Sequence, residues 1–150
     1  LVRKAHVDHQ AQGQRELNMV EVSLLVTALM FGGTVLYAFG FAAFVFTALP
    51  ADTAAPLLRR AFPHFYAFVI ATSAVAGGIV AFFDPPSAAI LAAIALSGIY
   101  ARQILMPQIN QATDDGNKPR FKKLHGFSVV ITLIHIAAAA VVIIKIASHA

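Results

Sequence analysis

Leu124–Ile146 reads LHGFSVVITLIHIAAAAVVIIKI, an apolar run interrupted only by Gly126, two histidines, a serine, a threonine and Lys145. A helix needs about 20 mostly apolar residues to cross about 30 Å of hydrocarbon, and lipid accepts only a backbone that satisfies its own hydrogen bonds. The same reading applies to three earlier stretches, about Val22–Leu49, Phe62–Phe83 and Ser87–Met106. Four such segments predict an all-α integral membrane protein, an antiparallel four-helix bundle over residues 22–150. Pro50, the Pro85–Pro86 pair and Pro107 stand at the segment ends, where a missing amide proton costs least.

The composition agrees. Of the 150 residues, 59% are hydrophobic and 12% charged, with a mean hydropathy of +0.75, against about 45–50% and about 25% in soluble domains. A soluble globule and a disordered chain are both excluded by that apolar content. With 0 Cys, disulfides, thiolate metal sites and cysteine nucleophiles are excluded too. The net charge of +4 falls on loops rather than on a basic soluble face, so a nucleic-acid partner is not expected.

Residues 1–21 read as a retained polar N-terminal tail, because the following apolar run is too long for a signal peptide. The chain starts at Leu1, which fits processing, truncation, or a start upstream of a natural one such as Met19. Connections 50–61 and 107–123 carry Arg59, Arg60, Lys118, Arg120, Lys122 and Lys123, with Arg102 nearby. The opposite side holds Arg3, Lys4, Arg15 and Lys145. The positive-inside rule therefore places both connections in the cytoplasm and both termini outside a cell membrane.

Lipid gives helices no hydrophobic reason to associate, so small and polar residues at steps of three and four mark the inner faces. The fourth segment offers His125, Ser128, Thr132, His135 and Ala139, leaving Ile131, Ile134, Val141 and Ile144 for lipid. The second offers His64, Ala67, Ala71, Ala74 and Gly78. The third offers Ala89, Ala93, Ser97 and Ala101, and the first Met30, Gly33, Tyr37, Gly40 and Phe44. Such seams serve ordinary helix packing, or a cleft for a flat or lipid-like ligand.

Candidate functional residues are few. His135 falls near midspan, where an ionisable group is costly and is read as functional by default; Tyr37 or Thr72 are its expected hydrogen-bond partners. His64 and His125 begin their helices at similar depth, which is what a b-type haem with two imidazole ligands, or a copper ion, would require. His6, Asp8 and His9 form a weak metal-like cluster in the tail, and Asp114–Asn117 reads as a turn. No spanning segment carries a carboxylate, and no nucleophile elbow or phosphate loop is present. A polar mouth collects Arg59, Arg60, His64, Arg102, Gln103, Asn110, Lys122, Lys123 and His125, which also suit anionic headgroups.

The stretch YARQILMPQINQATDDGNKPRFKKLHGFSVVITLIHIAAA, Tyr100–Ala139, resembles the transmembrane protein 205-like family, also known as domain of unknown function 4149. The likeness rests on Arg102, Met106, Pro107, Phe121, Leu124, His125 and Ser128, with Phe62 and Pro63 in LLRRAFPHFY, Leu57–Tyr66. Thr132 departs from an Asn expected in the fourth helix. The resemblance covers most of the chain from about Met19. It implies a four-helix integral membrane protein without an established reaction. A vertebrate relative is linked to tolerance of platinum drugs, and copper or haem handling is an analogy of outline only.

The expectation is a non-enzymatic multi-pass module that packs with itself or another membrane protein in the lipid bilayer. Its tentative ligand-binding residues are His64, Arg102, His125, Ser128 and His135. The rival expectations are a haem b or copper redox protein using His64 and His125, and a proton-linked carrier in which His135 titrates.

Overall fold

The computed structural model describes residues 2–149, with side chains from residue 10 onward except residue 11. The His6, Asp8 and His9 cluster therefore lies outside the described side chains. All regular structure among the described residues is helical. Helix α1 (Val2–Val35) continues through a π-helical turn, Leu36–Phe41, into α2 (Ala42–Ala48). After Leu49 and Pro50 comes α3 (Ala51–Val80), then α4 (Pro85–Tyr100), a second π-helical turn at Ala101–Leu105, α5 (Met106–Asp114) and α6 (Lys118–Ala147).

Four continuous helical rods result, Gln12–Ala48, Ala51–Val80, Pro85–Asp114 and Lys118–Ala147, each long and apolar enough to cross a membrane. Residues 2–21 of the polar stretch are the leading part of helix α1. A rod of 30 residues is about 45 Å long, so each outruns a hydrocarbon layer of about 30 Å. The first rod packs on the second and the fourth, and the third packs on the second and the fourth. With short turns between them, this closes an antiparallel ring.

The turns follow from local chemistry. Leu49 is extended (φ −124°, ψ 148°) and Pro50 caps α3, its carbonyl accepting from Ala54 N at 2.8 Å. Asp84 caps α4 ahead of Pro85 and Pro86, whose missing amide protons fall where no helical partner exists. At the third turn Asn117 N bonds to Ala112 O (2.9 Å) and Gly116 N to Thr113 O (3.1 Å), the two-bond helix stop that places its glycine at positive φ. Gly116 has φ 65°. Asn117 then caps α6 by accepting from Arg120 N at 3.1 Å.

Residues 50–61 and 107–123, expected as loops, are almost wholly helical. The prolines do not stop them. Pro107 and Pro119 occupy first-turn positions, and at the Ala101–Leu105 turn Met106 N bonds back five residues to Ala101 O. That extra residue puts Pro107 in the first turn of the α-helical segment that follows. Pro63 sits inside α3 and leaves the Arg59 carbonyl without its intrahelical donor.

The burial pattern is that of a lipid-soluble protein. Leu25, Leu36, Phe82 and Ile144 are about 70% or more exposed, at 71%, 69%, 79% and 72%, while Ser23, Thr27, Thr34, Ser73 and His135 are buried. The buried face of α6 runs Ser128, Ile131, His135, Ala139, Val142 and Ile146, so Ser128, His135 and Ala139 lie inside as expected, but Ile131 does too and His125 is exposed. On α3 the small-residue stripe His64, Ala67, Ala71, Ala74 and Gly78 is exposed, and Phe65, Tyr66, Val69, Ser73, Ala76 and Val80 point inward. Ala89 and Ala93 are exposed as well. The centre of a four-helix ring needs volume, so large side chains fill it and small ones collect at the seams. One seam is α3 against α4: a Cβ on Gly77 would stand 3.3 Å from Leu91 Cβ, and one on Gly98 3.0 Å from Ile70 Cγ1.

Replacing Gly116 by Ala forces a side chain into the left-handed region at φ 65°. The expected cost is about 1–2 kcal/mol, read as a lower thermal unfolding midpoint in detergent with unchanged helix content by circular dichroism.

Candidate functional site

The ends of the rods around Leu49 and Asn117 form a helical cap, and its α2–α3 half has a small apolar core of Val45, Ala54 and Leu58, flanked by Phe41, Leu49 and Phe62. Arg59 ties α3 to α5: its Nη2 donates to Asp114 Oδ1 at 2.8 Å and to the Asn110 carbonyl at 3.3 Å. Both partners are well exposed, at 38% and 63%, so the ion pair orients the cap more than it stabilises it. Arg102 Nε donates to the Pro63 carbonyl at 3.2 Å. Arg60, His64, Gln103, Lys122, Lys123 and His125 are all exposed. His125 stacks flat on Phe121, ring centres 5.4 Å apart.

The expected mouth is thus a basic collar whose side chains point outward. The structure does not bring His64 and His125 together: they are exposed, on α3 and α6, with α1 and α4 packed between those helices. Among the described residues no three His, Asp or Glu side chains gather as a metal site would require. An open groove of about 490 Å³ lies elsewhere, on the outer seam of α3 and α4 between Ala74, Gly78, Ala89 and Ala92.

Inside the bundle, His135 is 4% exposed and its Nε2 lies 2.8 Å from Ser97 Oγ on α4. Ser97 Oγ also lies 2.7 Å from the Ala93 carbonyl. A carbonyl only accepts and a hydroxyl has one proton, so Ser97 donates to Ala93 and accepts from His135. This assigns the proton of the neutral imidazole to Nε2 and leaves Nδ1 with the lone pair. The partners expected from sequence do other things: Thr72 donates to its own helix at Phe68 O, 2.8 Å, and the Tyr37 hydroxyl bonds to no side chain or carbonyl among the described residues. Ser128 donates to His125 O on its own helix, 2.7 Å.

Tyr37 lies in the first π-helical turn, half-buried, its ring stacked on Phe65 at 4.4 Å and edge-on to Phe62 at 5.6 Å. Its hydroxyl is the buried side-chain polar atom without a hydrogen-bond partner among the described residues. Such a group costs about 1–3 kcal/mol. Single π-turns concentrate at functional positions, and the second one carries Arg102.

At the opposite end the sequence reading missed a polar cluster. Asp84 is buried and accepts from the backbone N–H and hydroxyl of Ser87. His149 Nε2 stands 3.8 Å from its Oδ2. The Ser87 hydroxyl above all, with the Ser87 N–H and the nearby Lys145 and His149, holds the Asp84 carboxyl below the ordinary carboxylate range. The signal was present in Asp-Pro-Pro-Ser, an N-cap followed by two prolines and a reciprocating hydroxyl.

Residues 25–118 match the family described as domain of unknown function DUF4149. The chain belongs to that family. The match takes in LLRRAFPHFY, Arg102, Met106 and Pro107, and ends before Phe121, Leu124, His125 and Ser128. Family membership therefore rests on the first three rods, while the fourth-helix part of the resemblance lies outside the matched stretch. No curated protein and no solved structure matches this DUF4149 chain.

Two expected outcomes test the polar interior and the far turn of this DUF4149 protein. Ser97→Ala leaves a buried His135 N–H unpaired and is expected to cost about 1–3 kcal/mol. Adding His135→Phe should recover part of the loss, giving a coupling of about 0.6–1.7 kcal/mol in a double-mutant cycle by equilibrium unfolding. For Asp84 the folded carboxyl is the stronger acid, so its contribution is complete above the ordinary range near pH 4 and is lost as the pH falls through the depressed folded value. Wild-type protein should lose unfolding midpoint below about pH 4 more steeply than Asp84→Asn.

Proposed function

We propose that this DUF4149 chain is a non-enzymatic membrane module that docks a second copy of itself or another membrane protein through the basic cap. The supporting observation is the presentation of that charge on helices. Arg60, Lys118, Arg120, Lys122 and Lys123 are exposed on helical extensions, and the Arg59–Asp114 pair joins the α3 extension to α5. A helical scaffold ordered beforehand loses little backbone entropy on binding. The positive-inside rule puts this cap in the cytoplasm. The buried hydroxyls, by contrast, are taken up largely by carbonyls one turn back on their own helices, as in Thr27, Thr34 and Ser73, which leaves little chemistry for catalysis inside.

The chain has 0 Cys, so a single introduced thiol reports cleanly. Lys122→Cys in native membranes is expected to react with an impermeant maleimide only from the cytoplasmic face, and to form a cross-linked adduct with a bifunctional maleimide. Changing Lys118, Arg120 and Lys123 to Gln should reduce that adduct several-fold. Labelling from outside, or a strict monomer by native mass measurement with no adduct, overturns the reading.

A further inference from the structure

Arg102 stands apart from the rest of the basic collar. It lies 17 residues beyond the start of α4 at Pro85, about 25 Å along the rod. His64 lies 16 residues before the end of α3 at Val80, about 24 Å from the same end. The polar cluster of Asp84, Lys145 and His149 marks the far edge of the hydrocarbon. A layer of about 30 Å measured from there closes just beyond Arg102 and His64. Both side chains are exposed, at the level where acyl chains give way to headgroups.

Arg102 has no acidic partner there. The ion pairs among the described residues are Arg59–Asp114 and Asp84–His149. Among the described residues the polar contact of its guanidinium is the Nε bond to the Pro63 carbonyl, which holds the side chain against α3 and leaves the four N–H donors of the terminal nitrogens without a protein partner. Pro63 precedes His64 in the chain, and Arg60 lies one helical turn from His64 on the same face of α3. An unpaired guanidinium at a hydrocarbon edge is costly. Its planar fork fits a phosphate oxygen pair.

We propose that Arg102, with His64 and Arg60, holds the phosphate of an anionic phospholipid. A lipid rather than a soluble phosphate is the occupant because the surface toward the bilayer centre is apolar and open: Ile99 is 43% and Leu96 67% exposed, with Ala67 and Ala71 exposed across the seam. The headgroup site thus continues into acyl-chain contacts. The negative surface of the cytoplasmic leaflet supplies the ligand. The inference does not depend on protein docking at the cap, since it is read on purified protein whereas docking is read in native membranes.

The test is native mass spectrometry of the full chain taken from vesicles containing equal phosphatidylglycerol and phosphatidylcholine. Wild type is expected to retain phosphatidylglycerol preferentially. Arg102→Gln should cut that preference about tenfold or more, and Arg102→Lys, which keeps the charge without the fork, should fall between. Arg15→Gln, exposed on the opposite side, should leave it unchanged. Equal retention of the two lipids by wild type, an undiminished preference in Arg102→Gln, or displacement of the lipid by inorganic phosphate would each overturn the proposal. If Arg102→Gln loses its helical circular-dichroism signal, Arg102→Lys and His64→Gln carry the comparison, and a wild-type preference in both overturns it equally.

Discussion

A peptide group in hydrocarbon has nothing to bond with except another peptide group, and every larger feature of this protein follows from that constraint. It makes the four rods continuous helices, restricts the non-helical backbone between them to Leu49–Pro50, Ala81–Asp84 and Asp115–Asn117, and drives the hydroxyls of Ser23, Thr27, Thr34 and Ser73 back onto their own carbonyls. The same constraint sorts the side chains. Apolar side chains can face out, as Leu25, Leu36 and Phe82 do, because lipid is as apolar as they are, and the buried polar groups face in because they find partners there.

Within that frame the polar groups divide by depth. His135 and Ser97 form a neutral pair near midspan, where a charge is most costly. Asp84 with Ser87, Lys145 and His149 closes one end of the bundle, and the basic cap with Arg59–Asp114 closes the other. The two π-helical turns lie toward the cap end, one presenting Tyr37 to Phe65 and the other Arg102 to the Pro63 carbonyl. The rods are thus regular through most of the bilayer and irregular near the cap, where the charged groups collect.

The fold class, the four spans and the burial of Ser128 and His135 were legible before any tertiary contact, because length and apolar content are set residue by residue against one solvent. The Asp114–Asn117 turn was equally legible from its Gly and Asn. The facing of α3 was not. His64, Ala67, Ala71, Ala74 and Gly78 have the spacing of an inner seam, but Phe65, Tyr66 and Val69 fill the ring better, and only the assembled four helices reveal that need for volume. The partner of His135 was hidden for a related reason: Ser97 is 38 residues away, and its pairing depends on the rotation of two helices about their own axes.

By itself, then, the sequence determined the medium, the number of crossings and the end at which positive charge accumulates, since each is a sum over local residue properties. Tertiary structure decided the rest. It chose which stripe of each helix turns inward, extended the presumed basic loops as helices, left His64 and His125 on the outside, and gave His135 to Ser97 and Arg102 to Pro63. Helix rotation costs little in lipid that is equally apolar on every side, so it is settled by packing volume and by a few directional hydrogen bonds between residues far apart in the chain.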